Sequence, residues 1–332
     1  MATVQTVTGP IDGADLGRTL VHEHIRISYA GEELDPAYAW DRAETVARAV
    51  DKMGELLDAG FSTFVDPCPI ELGRDPELYA EISARSGMRI VCTTGFYTEH
   101  LGSGLPFYWR ARYPEEIAEL YVQELTEGIA GTGGIRAGAI KAATGVDVTA
   151  AESRCLSAAA IAQQEVGCAI ITHTENSRNG DVQQDLFADG GADLGRVLIG
   201  HQDEQTDVAP IRKLAERGTF VGVDRIGLEI LAPDERRADH VAALVREGFT
   251  SQVCLSQDHI CALTGPRSAF YVPPEHRAAA EERREQIAWQ VWQRPYTYIV
   301  TDFVPRLLER GVTEADVETI FVDNPRRLLT GA

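Results

Sequence analysis

Eight short apolar runs, each followed by a stretch of helical periodicity, constrain the fold of this 332-residue chain more than any other feature. The runs cover 19–24, 61–67, 89–95, 137–144, 168–173, 197–201, 219–224 and 253–258. The intervening helices are predicted over 44–59, 75–86, 115–128, 149–166, 182–189, 208–217 and 237–247. Short apolar strands alternating with helices predict an α/β fold with a parallel sheet. Eight repeats predict a closed (β/α)8 barrel rather than an open sheet. No GxGxxG or GxxxxGK[ST] follows any strand, which counts against nucleotide-binding α/β folds. A small β cap is expected over 4–8. A long polar segment, about 259–280, follows strand eight, and helices close the chain over 281–292, 296–310 and 314–329. With no linker, repeat or second core in view, residues 1–332 are expected to form a single barrel domain.

The charge balance narrows the choice of partners. There are 51 acidic and 31 basic residues, a formal charge of -20. Such a surface repels nucleic acid and anionic membranes. No apolar run reaches membrane-spanning length, and the N-terminus lacks a basic region followed by an apolar segment. The six cysteines, Cys68, Cys92, Cys155, Cys168, Cys254 and Cys261, are scattered, without a CxxC pair. They read as small core residues in a reducing, cytoplasmic compartment.

The informative positions are the polar exceptions at the ends of the strands. His22 and His24 end the first, Lys141 the fourth, His173 the fifth, His201 the sixth and Asp258 the eighth. In a (β/α)8 barrel all eight carboxyl ends surround one face, so residues far apart in sequence meet at one mouth. His22 and His24, two apart on a strand, are expected to point to one side. A lone histidine at a strand end is more often a satisfied polar residue than a ligand. Four imidazoles and a carboxylate together form a set suited to zinc or a similar divalent ion. Lys141 alone reads as a snorkelling lysine. Beside two cations it needs another explanation, because an ammonium has no lone pair to donate. Burial and nearby cations favour the neutral amine, which can add carbon dioxide to give a bridging carbamate.

These stretches resemble the phosphotriesterase family of the amidohydrolase superfamily, and within it the phosphotriesterase-like lactonases. The resemblance rests on Val21-His22-Glu23-His24, Val65-Asp66-Pro67, Gly73-Arg74-Asp75, Thr94-Gly95-Phe96-Tyr97, Ile140-Lys141-Ala142-Ala143, Ile171-Thr172-His173, Ile199-Gly200-His201, Val223-Asp224-Arg225, Gly227-Leu228, Ser256-Gln257-Asp258, Ile320-Phe321 and Asn324-Pro325. It implies two divalent ions per chain, zinc foremost, with cobalt, iron or manganese as alternatives. His22, His24 and Asp258 would hold the more buried ion, His173 and His201 the more exposed one. Carboxylated Lys141 and a hydroxide would bridge them. The resemblance also implies a homodimer, a role for Tyr97 near the exposed ion, and Arg225 beside the substrate. Taken alone, Tyr97 reads equally as a rim-packing residue and Arg225 as a surface ion-pair partner.

The expected activity is hydrolysis of lactones, foremost N-acyl-homoserine lactones as in quorum quenching, with weak phosphotriesterase activity alongside. Asp258 would carry the proton, Tyr97 would steady the carbonyl oxygen, and Arg225 would orient the substrate. The alternatives are a primary organophosphate triesterase or arylesterase, a hydrolase of another lactone class, a mononuclear amidohydrolase such as a deaminase, and a catalytically dead barrel. Lys141 argues against the mononuclear form, and the full ligand set against the dead barrel. One departure concerns the substrate pocket. Lactonases of this branch place a tryptophan a few residues after the last aspartate, whereas 259–265 contains none. The segment beyond, with Phe270-Tyr271-Val272, reads as a solvated connector or as a lid.

Overall fold

The computed structural model describes residues 2–101, 104–263 and 274–332. A hairpin of β1 (Thr3–Thr6) and β2 (Gly9–Asp12) precedes the main sheet. Barrel strands follow as β3 (Arg18–Leu20), then, after a short strand β4 (His24–Ile27), β5 (Phe61–Asp66), β6 (Arg89–Gly95), β7 (Ala139–Thr144), β8 (Ala169–Thr174), β9 (Val197–Ile199), β10 (Phe220–Val223) and β11 (Val253–Leu255). These eight strands pair in parallel in the order β11-β10-β9-β8-β7-β6-β5-β3. The ends of this sheet approach each other, with Asp258 N donating to His22 O at 3.1 Å. The architecture is a (β/α)8 barrel, as the strand count predicts.

The helices form where caps and apolar faces coincide. Helix α1 (Arg42–Asp58) starts on Asp41, whose side chain accepts from Glu44 N. Helix α2 (Pro76–Ser86) starts on Asp75 with proline in its first turn and stops at Gly87 in the left-handed region. Helix α3 (Pro114–Thr126) and α4 (Ala150–Val166) follow, the latter with a Thr149–Glu152 capping box. Helices α5 (Gly180–Asp189), α6 (Ala209–Glu216) and α7 (Asp234–Arg246) complete the ring. Caps of this kind satisfy the free amides of a first turn.

The lumen explains which residues reach the mouth. Val65, Val91, Ala139, Ala169, Ile171, Leu198, Phe220 and Cys254 fill it, with Val4, Leu16, Leu328 and Leu329 in the same cluster. Side chains alternate along a strand, so residues two beyond an inward one also point inward. That parity carries Ala139 to Lys141 and Ile171 to His173 within their strands. The barrel is therefore apolar in its packed part and polar at its carboxyl end.

Three expectations need correction. The first strand does not run through the histidines: β3 ends at Leu20 and His24 opens β4. The ladder yields there because side chains take its bonds, Ser256 Oγ accepting from His22 N at 3.0 Å. His201 and Asp258 lie past their strands, at φ 57° and 49°. The segment after strand eight carries more regular structure than expected: β12 (Ile260–Leu263) pairs in parallel with β4, and a helix begins at Arg277. Phe270, Tyr271 and Val272 lie outside the described residues.

The Gly73-Arg74-Asp75 stretch is structural. Gly73 has φ 86°, and a Cβ there would sit 2.8 Å from Ser28 N. Arg74 forms a buried bidentate pair with Glu124 of α3, Nη1–Oε2 2.6 Å and Nη2–Oε1 2.9 Å, and donates to Thr93 O. Removing one partner of such a pair leaves a buried charge uncompensated. Arg74→Met is expected to cost about 3–5 kcal/mol in urea unfolding, and Arg74→Met with Glu124→Leu much less. A single-variant loss below about 1 kcal/mol would mean the pair is not electrostatically isolated.

Candidate metal centre

Five aromatic rings form an unbroken arc across the mouth of the barrel. Ring centroids are 5.5 Å apart for His24–His22, 4.7 Å for His22–His201, 4.7 Å for His201–His173 and 4.8 Å for His173–Tyr97. Asp258 lies against the arc, its Oδ1 3.2 Å from His24 Nε2 and 3.8 Å from His22 Nε2. Its Oδ2 is 3.8 Å from His201 Nε2. Lys141 Nζ is 3.1 Å from His22 Nε2. All six of the residues expected to bind metal therefore meet, together with Tyr97, whose hydroxyl lies 3.3 Å from His173 Nδ1.

Each histidine is oriented by a carboxylate. Asp224 contacts two: Oδ2 lies 3.0 Å from His22 Nδ1, and Oδ1 lies 2.9 Å from His201 Nδ1 while accepting from His201 N at 2.7 Å. Asp66 Oδ1 is 3.1 Å from His24 Nδ1 and also accepts from Cys68 N, while Oδ2 accepts from Ile25 N. Nδ1–H donation fixes the tautomer with the Nε2 lone pair free. His173 is the exception, because Glu175 Oε2 lies 3.0 Å from its Nε2. The same logic leaves its Nδ1 as the free donor atom.

Sequence reasoning did not give Asp66, Asp224 or Glu175 a role. The signal was available, since Asp66 ends β5 and Asp224 follows β10, the same strand-end placement that exposed the histidines. Glu175, beyond β8, carries no comparable signal.

The electrostatics favour a cation in this cluster. Burial lowers the pKa of His22 and His201, and brings His173 down to about 4, so these rings are neutral donors at pH 7. Burial also disfavours charge on His24, but Asp258 and Asp66 outweigh it and hold its pKa well above the usual value. Burial opposes the charged form of Asp258, yet His201, His24, His22 and Arg225 keep it ionised far into acid. Lys141 is brought down to about 8, burial outweighing the pull of Asp258 and Asp224. One ring nitrogen each of His22 and His24 and one oxygen of Asp258 lie within 4.8 Å of one another. This donor set fits a divalent transition ion.

Arg225 sits 3.0 Å through Nε from Asp258 Oδ2 and pairs through Nη1 with Glu204. Its backbone amide donates to Asp203 Oδ2, which also pairs with the fully buried Arg237. Gly95 lies beside the lysine strand at φ 113°, where a Cβ would come within 1.9 Å of Lys141 O. Only glycine lets β6 approach Lys141 so closely.

A (β/α)8 barrel with four imidazoles and a carboxylate gathered at its mouth fits a metal-binding hydrolase. The chain belongs to the phosphotriesterase family, whose model matches residues 2–329. It is 36% identical to a phosphotriesterase homology protein of Mycobacterium tuberculosis, over 99% of this chain and 98% of that one. It superposes on an organophosphorus hydrolase from Deinococcus radiodurans with a TM-score of 0.88 at 38% identity, covering 99% of this chain and 97% of the other. A mutant of a PTE-like lactonase from the same organism gives a TM-score of 0.87 at 36% identity, with 98% and 100% covered. The chain is thus a hydrolase of the phosphotriesterase family. Among the described residues no helix is long and apolar enough to cross a membrane.

Asp224 holds a histidine from each side of the centre, so its loss should weaken metal binding throughout. Asp224→Asn can accept with one oxygen only. Metal retention against a chelator, read by mass spectrometry, should fall about 10- to 100-fold. Unchanged retention would mean the rings are held by packing alone.

Proposed function

We propose that this chain hydrolyses lactones, foremost N-acyl-homoserine lactones, with two divalent ions, and cleaves organophosphate triesters more weakly. The observation that carries the reading is the convergence of four carboxylate-oriented imidazoles, Asp258 and Lys141 beside one phenol. His22, His24 and Asp258 would hold the buried ion, and His173 and His201 the exposed one. Lys141 Nζ lies 3.1 Å from His22 Nε2 and, among the described residues, forms no ion pair with a carboxylate. A carboxylated Lys141 would supply one oxygen to each side. When bound, the ions polarise the ester carbonyl and lower the pKa of the attacking water.

The remaining work falls to side chains. Burial holds the Tyr97 phenol well above its usual pKa, so it stays protonated and can donate to the carbonyl oxygen as charge develops. Asp258 takes the proton of the attacking water and returns it to the ring oxygen as the acyl C–O bond breaks, so one hydroxy acid forms with protons balanced. Arg225 keeps Asp258 ionised and aimed, and so contributes through Asp258 as well as at the substrate. Glu204 in turn holds the guanidinium.

Primary phosphotriesterase activity is the competing reading, favoured by the organophosphorus hydrolase that superposes on the chain. The ligands serve either electrophile, so the pocket must discriminate. A panel of acyl-homoserine lactones of varied chain length, assayed by proton release beside an aryl phosphotriester, decides between them. Higher kcat/KM for a lactone is expected, and the reverse order would overturn the lactonase assignment. In the same assay Asp258→Asn should lower kcat about 10²- to 10⁴-fold, far more than it lowers metal content. Near-normal turnover would remove Asp258 from proton transfer.

A further inference from the structure

Glu23 stands between the two first-loop histidines, is fully buried at 0% exposure, and belongs to neither ligand set. Its carboxylate spans the seam between β3 and β11, which carries no ladder pairing among the described residues. Oε1 accepts from Gln257 N at 2.8 Å and from Ser256 Oγ at 3.1 Å, and Oε2 accepts from His259 N at 3.0 Å. The two amides it holds are those on either side of Asp258. The main chains answer in kind: Asp258 N donates to His22 O at 3.1 Å, and His24 N to His259 O at 2.9 Å. The tripeptides His22-Glu23-His24 and Gln257-Asp258-His259 therefore interlock, and together they contain the whole His22, His24, Asp258 donor group.

Asp258 is left-handed at φ 49°, a conformation that aspartate visits more readily than most non-glycine residues but still at a cost its surroundings must offset. Pinning the amides before and after it supplies that offset. Tyr296 adds a hydroxyl bond to His24 O at 2.7 Å, and Lys52 Nζ lies 3.0 Å from His259 Nε2. These secure the outer residues of each tripeptide but do not touch the amides flanking Asp258.

We infer that Glu23 is the positioning residue that fixes His22, His24 and Asp258 relative to one another, and so controls retention of the ion they hold without governing the ion held by His173 and His201. The inference rests on the two-metal reading above. A residue serving barrel closure alone would affect unfolding but neither ion selectively.

The test is Glu23→Gln. A carboxamide keeps one acceptor and must face a main-chain amide with its own NH2 group in either orientation. Metal-loaded protein is titrated with chelator, and bound metal is counted by mass spectrometry. One ion should leave at about tenfold lower chelator than in wild type, the other at the wild-type concentration. In parallel, kcat should fall with KM unchanged. Retention of both ions with wild-type kcat overturns the inference, even if the unfolding temperature drops, as does equal weakening of both ions. Ser256→Ala covers the case in which Glu23→Gln does not fold. It removes one of the three donors to Glu23 together with the acceptor of His22 N, the bond through which Glu23 and Ser256 jointly fix that tripeptide, and about fivefold weaker retention of the same single ion is expected. No change there would also overturn the inference. Wild type that holds one ion overturns the two-metal reading itself, whereas two ions in wild type with indifferent variants removes only the role of Glu23.

Discussion

Asp224 is the interaction on which the mouth of this barrel depends. One buried carboxylate meets His22 from the first βα loop and His201 from the sixth, and also takes the His201 amide. Burial works against its ionised form, but the two imidazoles outweigh that and hold its pKa well below the usual range. Left unpaired, such a charge would be costly in a dry interior. Paired with two donors, it forces both rings to present Nε2 to the same space. Asp66 does this for His24. The site is thus specified by anions that do not belong to its donor set.

Much of the fold was legible in the sequence because the lumen and the helix-covered face are both apolar. Strands buried on both sides read as continuous runs, and the interruptions fall where the packed lumen gives way to the mouth. Lys141 and His173 were therefore visible as polar interruptions of apolar strands, although Lys141 lies within β7 and not at its end as expected. Asp258 and His201 were visible for the same reason, although each lies one or more residues beyond its ladder.

What was not legible is the geometry imposed by side chains on backbone. Nothing in the run from Thr19 to His24 announces that the ladder stops at Leu20, because the replacement bonds come from Ser256 and the opposite loop. Left-handed backbone at His201 and Asp258 has no glycine to mark it. The pairing of β12 with β4 joins two stretches more than two hundred residues apart and leaves no periodic trace in either. The outer carboxylates were overlooked for a different reason: aspartate in a loop is common, and only its contact with a ring nitrogen reveals a role. Substrate choice is further removed still, since the residues gathered at the mouth suit a carbonyl or a phosphoryl centre alike.

The central claim is that Lys141 bridges two ions at the mouth of the barrel. A crystal structure of the metal-loaded protein, with anomalous scattering measured at the metal edge, tests it most directly. The account predicts two anomalous peaks, one beside His22, His24 and Asp258 and one beside His173 and His201, with planar density extending from Lys141 Nζ between them. A single peak, or an unmodified amine turned away from two occupied sites, would contradict it.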